Sequence, residues 1–185
     1  MAEEGVRFTD FYVASGVCSP SRGALLTGCY PARIGFGTFD GLRVLSTGQG
    51  LGLNSDETTI AGALKDIGYA TKIIGKWHCG DQPEFLPTEH GFDSYYGLPY
   101  SNDMGRQVED PNLDDHDRAE LLRSRPPLPL IRDAEVIQEQ PDLRALTERY
   151  AEEAVRFIRG NSDSPFSFTS HTCTSISLST PPRTS

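Results

Sequence analysis

Residues 55–80 read Ser-Asp-Glu-Thr-Thr-Ile-Ala-Gly-Ala-Leu-Lys-Asp-Ile-Gly-Tyr-Ala-Thr-Lys-Ile-Ile-Gly-Lys-Trp-His-Cys-Gly. Ser55 or Asp56 can cap a helix whose apolar face is Ile60, Ala63, Leu64 and Ile67, spaced i, i+3, i+4, i+7. Gly68 suits the residue after its end. Tyr69 to Ile74 is then aromatic and β-branched, which predicts a strand ending at Gly75-Lys76-Trp77-His78. Helix followed by strand is the alternation of an α/β layer structure, here with a mixed, largely parallel sheet flanked by helices.

Downstream, Asp142 opens the clearest helix, with Leu143, Leu146, Tyr150, Ala154, Phe157 and Ile158 on one face and Gly160 as its stop. Pro165 to Phe168 starts like another strand. Upstream, residues 7–13, Arg-Phe-Thr-Asp-Phe-Tyr-Val, read as a strand. Ser19 and Ser21 are candidate caps for a short helix from about Arg22 to Thr27, closed by Gly28. Six glycines between residues 35 and 53 predict a loop, and residues 81–133 read as mostly irregular.

The length of 185 residues fits about one domain. Residues 1–160 are expected to form part of a catalytic domain. Residues 161–185 hold the strand start and then a Ser/Thr/Pro-rich tail, expected to be disordered or foreign to the domain. The net charge of −9 argues against general nucleic-acid binding and anionic membranes. It is unevenly spread. Residues 1–80 hold seven basic and seven acidic side chains; residues 81–160 hold nine and eighteen. An anion-handling site, if the chain has one, is therefore expected in the first part. No apolar run is long enough for a membrane span. The start Met-Ala-Glu-Glu lacks a signal peptide's basic and apolar regions. Cys18, Cys29, Cys79 and Cys173 show no CxxC spacing, so neither a zinc site nor a disulfide framework is indicated.

Two constellations could carry chemistry. Cys18-Ser19-Pro20-Ser21-Arg22 places a Cys just before a helix, where free N–H groups favour an anion, and Arg22 adds a cation one turn away. The bland reading is a buried Cys beside an ordinary helix start. In Gly75-Lys76-Trp77-His78-Cys79-Gly80, Lys76 and His78 lie two apart at a strand end, so on an extended segment they point the same way. The bland reading is a surface Lys and a packed His.

Together, C-x-P-S-R with Leu-Leu-Thr-Gly and then G-K-W-H-x-G resemble the type I sulfatases of the alkaline-phosphatase-like superfamily, arylsulfatase A-like members in particular. The likeness runs from about Val6 to Tyr100, through Gly28-Cys29-Tyr30-Pro31-Ala32-Arg33 and His90-Gly91-Phe92-Asp93, and resumes at Leu146–Ile158 and Pro165-Phe166. It implies hydrolysis of aryl or carbohydrate sulfates. In that family the Cys matching Cys18 is converted by a formylglycine-generating enzyme to formylglycine, whose hydrate attacks sulfur and later releases sulfate as the aldehyde re-forms, and the resemblance implies the same for Cys18. By position, Arg22 would steady the formylglycine, and Lys76 would pair with the sulfate. His78 would hydrogen-bond the second hydroxyl and act as a base, and Ser101 would lie near the same site. A formylglycine-dependent phosphonate or phosphate monoester hydrolase is the alternative.

The resemblance also implies calcium, with the formylglycine at position 18 among its ligands. The family's carboxylate ligands and its His-x-Pro element, which carries a sulfate-contacting His, are not matched here; His171 is the one His left in that region. The chain is thus expected to be an internal fragment, inactive alone, without tight calcium binding. Asp103 and the Asp114, Asp115, Asp117 cluster are not expected to replace the ligands, and the cluster reads as a solvated loop. His90, Cys29 and Trp77 read as packing residues. The family is mostly secreted, periplasmic or lysosomal.

Overall fold

The computed structural model describes residues 3–106 and 112–171. The elements are α1 (Cys18–Thr27), α2 (Ile60–Asp66), β1 (Ala70–Lys76), β2 (Ser94–Leu98), α3 (Asp115–Ser124), β3 (Pro129–Arg132), β4 (Glu135–Glu139), α4 (Leu143–Gly160) and β5 (Phe166–His171). One five-stranded sheet has the order β4-β3-β2-β1-β5. β1 pairs in parallel with β2 and β5; β3 joins β2 antiparallel, and β4 joins β3 antiparallel. The result is a mixed open sheet with a parallel centre, flanked by helices. No helix among the described residues is long and apolar enough to cross a membrane.

β1 is buried on both faces, as a central parallel strand must be. Ile73 faces a cluster with Leu26, Ile34, Phe36, Phe39, Leu53 and Trp77, built largely from loops. Ile74 faces the opposite cluster with Tyr96, Leu98, Leu130, Leu146 and Tyr150, covered by α4. Asp142 caps α4, accepting from the Arg144 N–H at 3.0 Å. The expected face turns inward at Leu146 and Tyr150, while Ile158 stays 40% exposed. Glu153 shares the inward face and meets Lys72 at 3.3 Å and Arg132 at 2.6 Å, with Arg156 also in contact.

Several expectations are corrected. Residues 7–13 form no strand; Phe8, Phe11 and Tyr12 are exposed, and no described strand pairs with them. β-propensity alone cannot hold an extended segment without a ladder partner. α1 begins at Cys18 rather than Arg22, and its cap is Val17, with no side-chain bond. Ser19 is instead buried and accepts the Leu45 N–H at 3.1 Å. Thr59 caps α2, accepting from Gly62 at 3.0 Å. The predicted α2 face does not turn inward: Ile60 and Ile67 are exposed and Ala61 is buried. The cause is close approach, since a Cβ at Gly91 would stand 2.3 Å from the Gly62 nitrogen. Only small residues fit on that side.

Residues 81–133 hold β2, α3 and β3 rather than irregular chain. The acidic cluster opens α3, not a loop: Asp114 accepts from the Asp117 N–H at 2.7 Å. The Pro165 strand start extends as β5 to His171, in register with β1 from Ala70 to Gly75. The rest of the Ser/Thr/Pro-rich stretch, residues 172–185, lies outside the described residues.

Candidate active site

The parallel strands β1, β2 and β5 end together. Lys76 pairs in register with Leu98, and Gly75 with His171. The backbones are tight here: Gly75 has φ +99, and a Cβ on it would lie 2.0 Å from the His171 carbonyl. α1 starts over this edge. Lys76 Nζ lies 3.1 Å from Cys18 Sγ, spanning 58 residues of sequence. Arg22 Nη1 donates to the Lys76 carbonyl at 2.8 Å, which ties the helix to the strand end. Lys76 is buried, whereas Cys18 is exposed. A cleft of about 440 Å³ opens above Cys18, lined by Ser15, Val17, Ser21, Arg22, Leu25 and His171 among others.

Lys76, Arg22 and Cys18 are thus brought together. His78 is held differently. The chain leaves β1 after Lys76, and His78 has φ +60, so the alternation that would aim it beside Lys76 ends there. Its ring is buried and its Nε2 lies 3.0 Å from the Leu45 carbonyl. Nδ1 has no partner. The ring lines a narrow crevice with Leu45, Ser46 and Tyr100 rather than the Cys18 cleft. Burial first, then the charges of Lys76 and Arg22, lower its pKa to about 4. Ser101 follows β2 and precedes a 3-10 turn at Asn102–Met104. No hydrogen bond joins its hydroxyl to Cys18, Lys76 or His78 among the described residues.

The site also gains a residue that pattern reading left unassigned. His171 ends β5 and lines the cleft beside Cys18. Burial, then Arg22 and Lys76, lower its pKa to about 4, so it is neutral at pH 7. The available signal was topological: it ends a strand predicted for a parallel sheet, where ligands gather at the carboxyl ends. Cys79 is fully buried, and burial pushes its thiol up to about 12, leaving it inert beside the exposed Cys18.

The described residues do not compose a calcium site. Calcium takes 6–8 oxygens, and among the described residues lining the cleft none is a carboxylate. Asp103 reaches the centre only as a weak field on His78. Asp114, His116 and Asp117 place ligand atoms within 4.8 Å of one another, but all are exposed on the first turn of α3 and one donor is a nitrogen.

The geometry suits an anion: two cationic side chains, a helix start and the neutral His171 imidazole near one exposed sulfur. The sulfatase family model matches residues 1–175. Arylsulfatase G of Rattus norvegicus is 40% identical over 179 residues, covering 89% of this chain and 32% of that protein. N-acetylgalactosamine-6-sulfatase of Sus scrofa is 40% identical over 171 residues, covering 86% and 30%. The crystal structure of Ps i-CgsB in complex with k-i-k-neocarrahexaose superimposes with a TM-score of 0.61 at 28% identity, covering 92% of this chain and 36% of that one. The chain spans about a third of the length of these relatives.

Proposed function

The chain belongs to the sulfatase family, and from that premise we propose that its parent domain hydrolyses carbohydrate or aryl sulfate esters through a formylglycine made from Cys18. The observation that carries this reading is the 3.1 Å contact between the buried Lys76 Nζ and Cys18 Sγ, beside a cleft lined by Cys18, Arg22 and His171. Cys18 Sγ stands in for the oxygen that the converted residue would carry. Converted, that residue supplies a hydroxyl nucleophile for sulfur.

The chain's own residues do the rest. Lys76, rooted on a buried strand end, holds a sulfate oxygen and keeps the group at position 18 oriented. Arg22 fixes α1 to that strand and adds its positive charge to the cleft. His171 is neutral at pH 7 and stands on the cleft wall, placed to accept a hydrogen bond from the hydroxyl that the converted residue 18 would carry. His78 is neutral as well, but buried behind the site, so it acts by positioning the Leu45 loop. The described residues supply no calcium site. For that reason, the 185-residue chain alone is proposed to turn over no sulfate ester. A carbohydrate substrate is favoured by the names of the N-acetylgalactosamine-6-sulfatase relative and of the oligosaccharide-bound structural neighbour.

The test uses a full-length form co-expressed with a formylglycine-generating enzyme. Mass spectrometry of the Cys18 peptide should show the thiol replaced by an aldehyde, with Cys29 and Cys79 unchanged. Nitrophenyl sulfate should then be turned over faster than nitrophenyl phosphate. An intact thiol in active enzyme, or faster phosphate turnover, would overturn the reading; the latter would favour the phosphonate or phosphate monoester alternative.

A further inference from the structure

A second cleft, of about 550 Å³, borders the Cys18 cleft. Ser15 and Val17 line both, so the two clefts adjoin at this segment. The second cleft lies against another flank of α1, walled by Pro20, Tyr30, Pro31 and Phe36, with Arg43 also lining it. Tyr30 is 75% exposed, a large aromatic surface left to solvent. Among the described residues lining this cleft, Arg43 is the one that carries a charge. No described carboxylate forms an ion pair with it. In a chain with a net charge of −9, an arginine so placed selects an anion.

The remaining lining narrows the class of ligand. Tyrosine and proline offer flat, rigid apolar surfaces that suit the C–H face of a sugar ring, and a guanidinium grips sulfate or carboxylate through two donors. We propose that this cleft holds the adjoining anionic sugar of an oligosaccharide whose terminal sulfated sugar sits in the Cys18 cleft. The inference rests on the sulfate reading of that first cleft and adds the substrate's length and charge pattern: at least two sugar units, the second carrying a sulfate or carboxylate near Arg43.

The test is calorimetric titration of the full-length form, with Cys18 left as the thiol so that nothing is turned over, with galactose 6-sulfate and with a galactose disaccharide sulfated on both rings. The disaccharide should bind tighter by about five-fold, the worth of one exposed ion pair, with stacking adding to it. Arg43→Ala should erase the ionic gain and Tyr30→Ala the remainder, both leaving the monosaccharide affinity unchanged. Circular dichroism should match the wild-type chain. Equal affinity for the two sugars, or a gain that survives both substitutions, would overturn the subsite and leave the sulfate reading standing. If neither sugar binds, or if Lys76→Ala does not weaken the monosaccharide, the sulfate reading falls and the subsite with it.

Discussion

The two faces of the central sheet are built by opposite means. Behind Ile74 a single 18-residue helix, α4, lays Leu146 and Tyr150 against the strands, and its buried charge, Glu153, is matched by Lys72 and Arg132. Behind Ile73 the cover is mostly loop. There the core is pinned by single polar contacts: Ser19 to the Leu45 N–H, His78 to the Leu45 carbonyl, and Trp77 Nε1 to the Phe85 carbonyl at 2.7 Å. The helical face is a repeated, redundant contact, so it stays stable with any one side chain trimmed. The loop face depends on a few anchors, and it is the face that carries Cys18. Loops position chemistry well because they are not bound to a helical or pleated spacing, and they need individual fastening for the same reason.

The largest expected effect concerns Trp77, which is fully buried, stacked on His90 at 5.7 Å and edge-on to Phe92 at 6.3 Å. Trp77→Ala should cost about 4 kcal/mol in urea denaturation, more than Leu146→Ala on the helical face. If Leu146→Ala proves the costlier, the picture of a few anchors holding the loop face is wrong.

Next in size, the faces should titrate in different windows. On the loop face, His90 is buried with neither ring nitrogen hydrogen-bonded among the described residues, and burial lowers its pKa from 6.5 to about 4. The unfolded chain takes up this proton at higher pH than the folded one, so the stability is whole above 6.5 and is lost as pH falls toward 4. On the helical face, burial raises the Glu153 carboxyl, but Arg132 and Lys72 outweigh it and hold the pKa at about 2. That contribution is lost only below about 4.5, as pH falls through 2. His90→Phe, which keeps a ring against Trp77, should shrink the stability difference between about pH 7.5 and about pH 4.5 by about 2 kcal/mol. An unchanged difference would remove His90 as the source of acid sensitivity.

The smallest effect sharpens the same contrast. Ser19→Ala leaves the Leu45 N–H buried without its acceptor and should cost about 1 kcal/mol, read as a lower urea midpoint at unchanged slope. A neutral outcome would mean that the Leu45 loop is held by other contacts.

What could be read from the sequence follows the same division. β1 and α4 were legible because an apolar run and a 3.6-residue period are dictated by burial on two faces and on one. β2 was missed: five residues around a glycine, Ser-Tyr-Tyr-Gly-Leu, carry too little pattern to separate from loop. The hairpin β3–β4 was missed because β4 is an edge strand, exposed throughout, with no buried alternation to detect. The Arg7–Val13 stretch shows the converse, with strand composition but no ladder. At the site, Cys18, Arg22 and Lys76 were legible from motif and spacing. The turn of His78 away from them was not, since its left-handed φ arises only where the chain quits the sheet. His171 depended on a parallel register that no local pattern carries.

The 58-residue separation of Cys18 and Lys76 also sets a clock. A ribosome adding about 5–20 residues per second needs on the order of 3–12 seconds to go from one to the other. During that interval Cys18 has neither its lysine neighbour nor the strand end that Arg22 grips, and its peptide is free to lie extended in another protein's groove. Any enzyme that must read Cys-Ser-Pro-Ser-Arg as an unfolded segment therefore works against the arrival of β1. Shortening the segment between the two motifs, or speeding its translation, would narrow that opening without touching a single residue of the site.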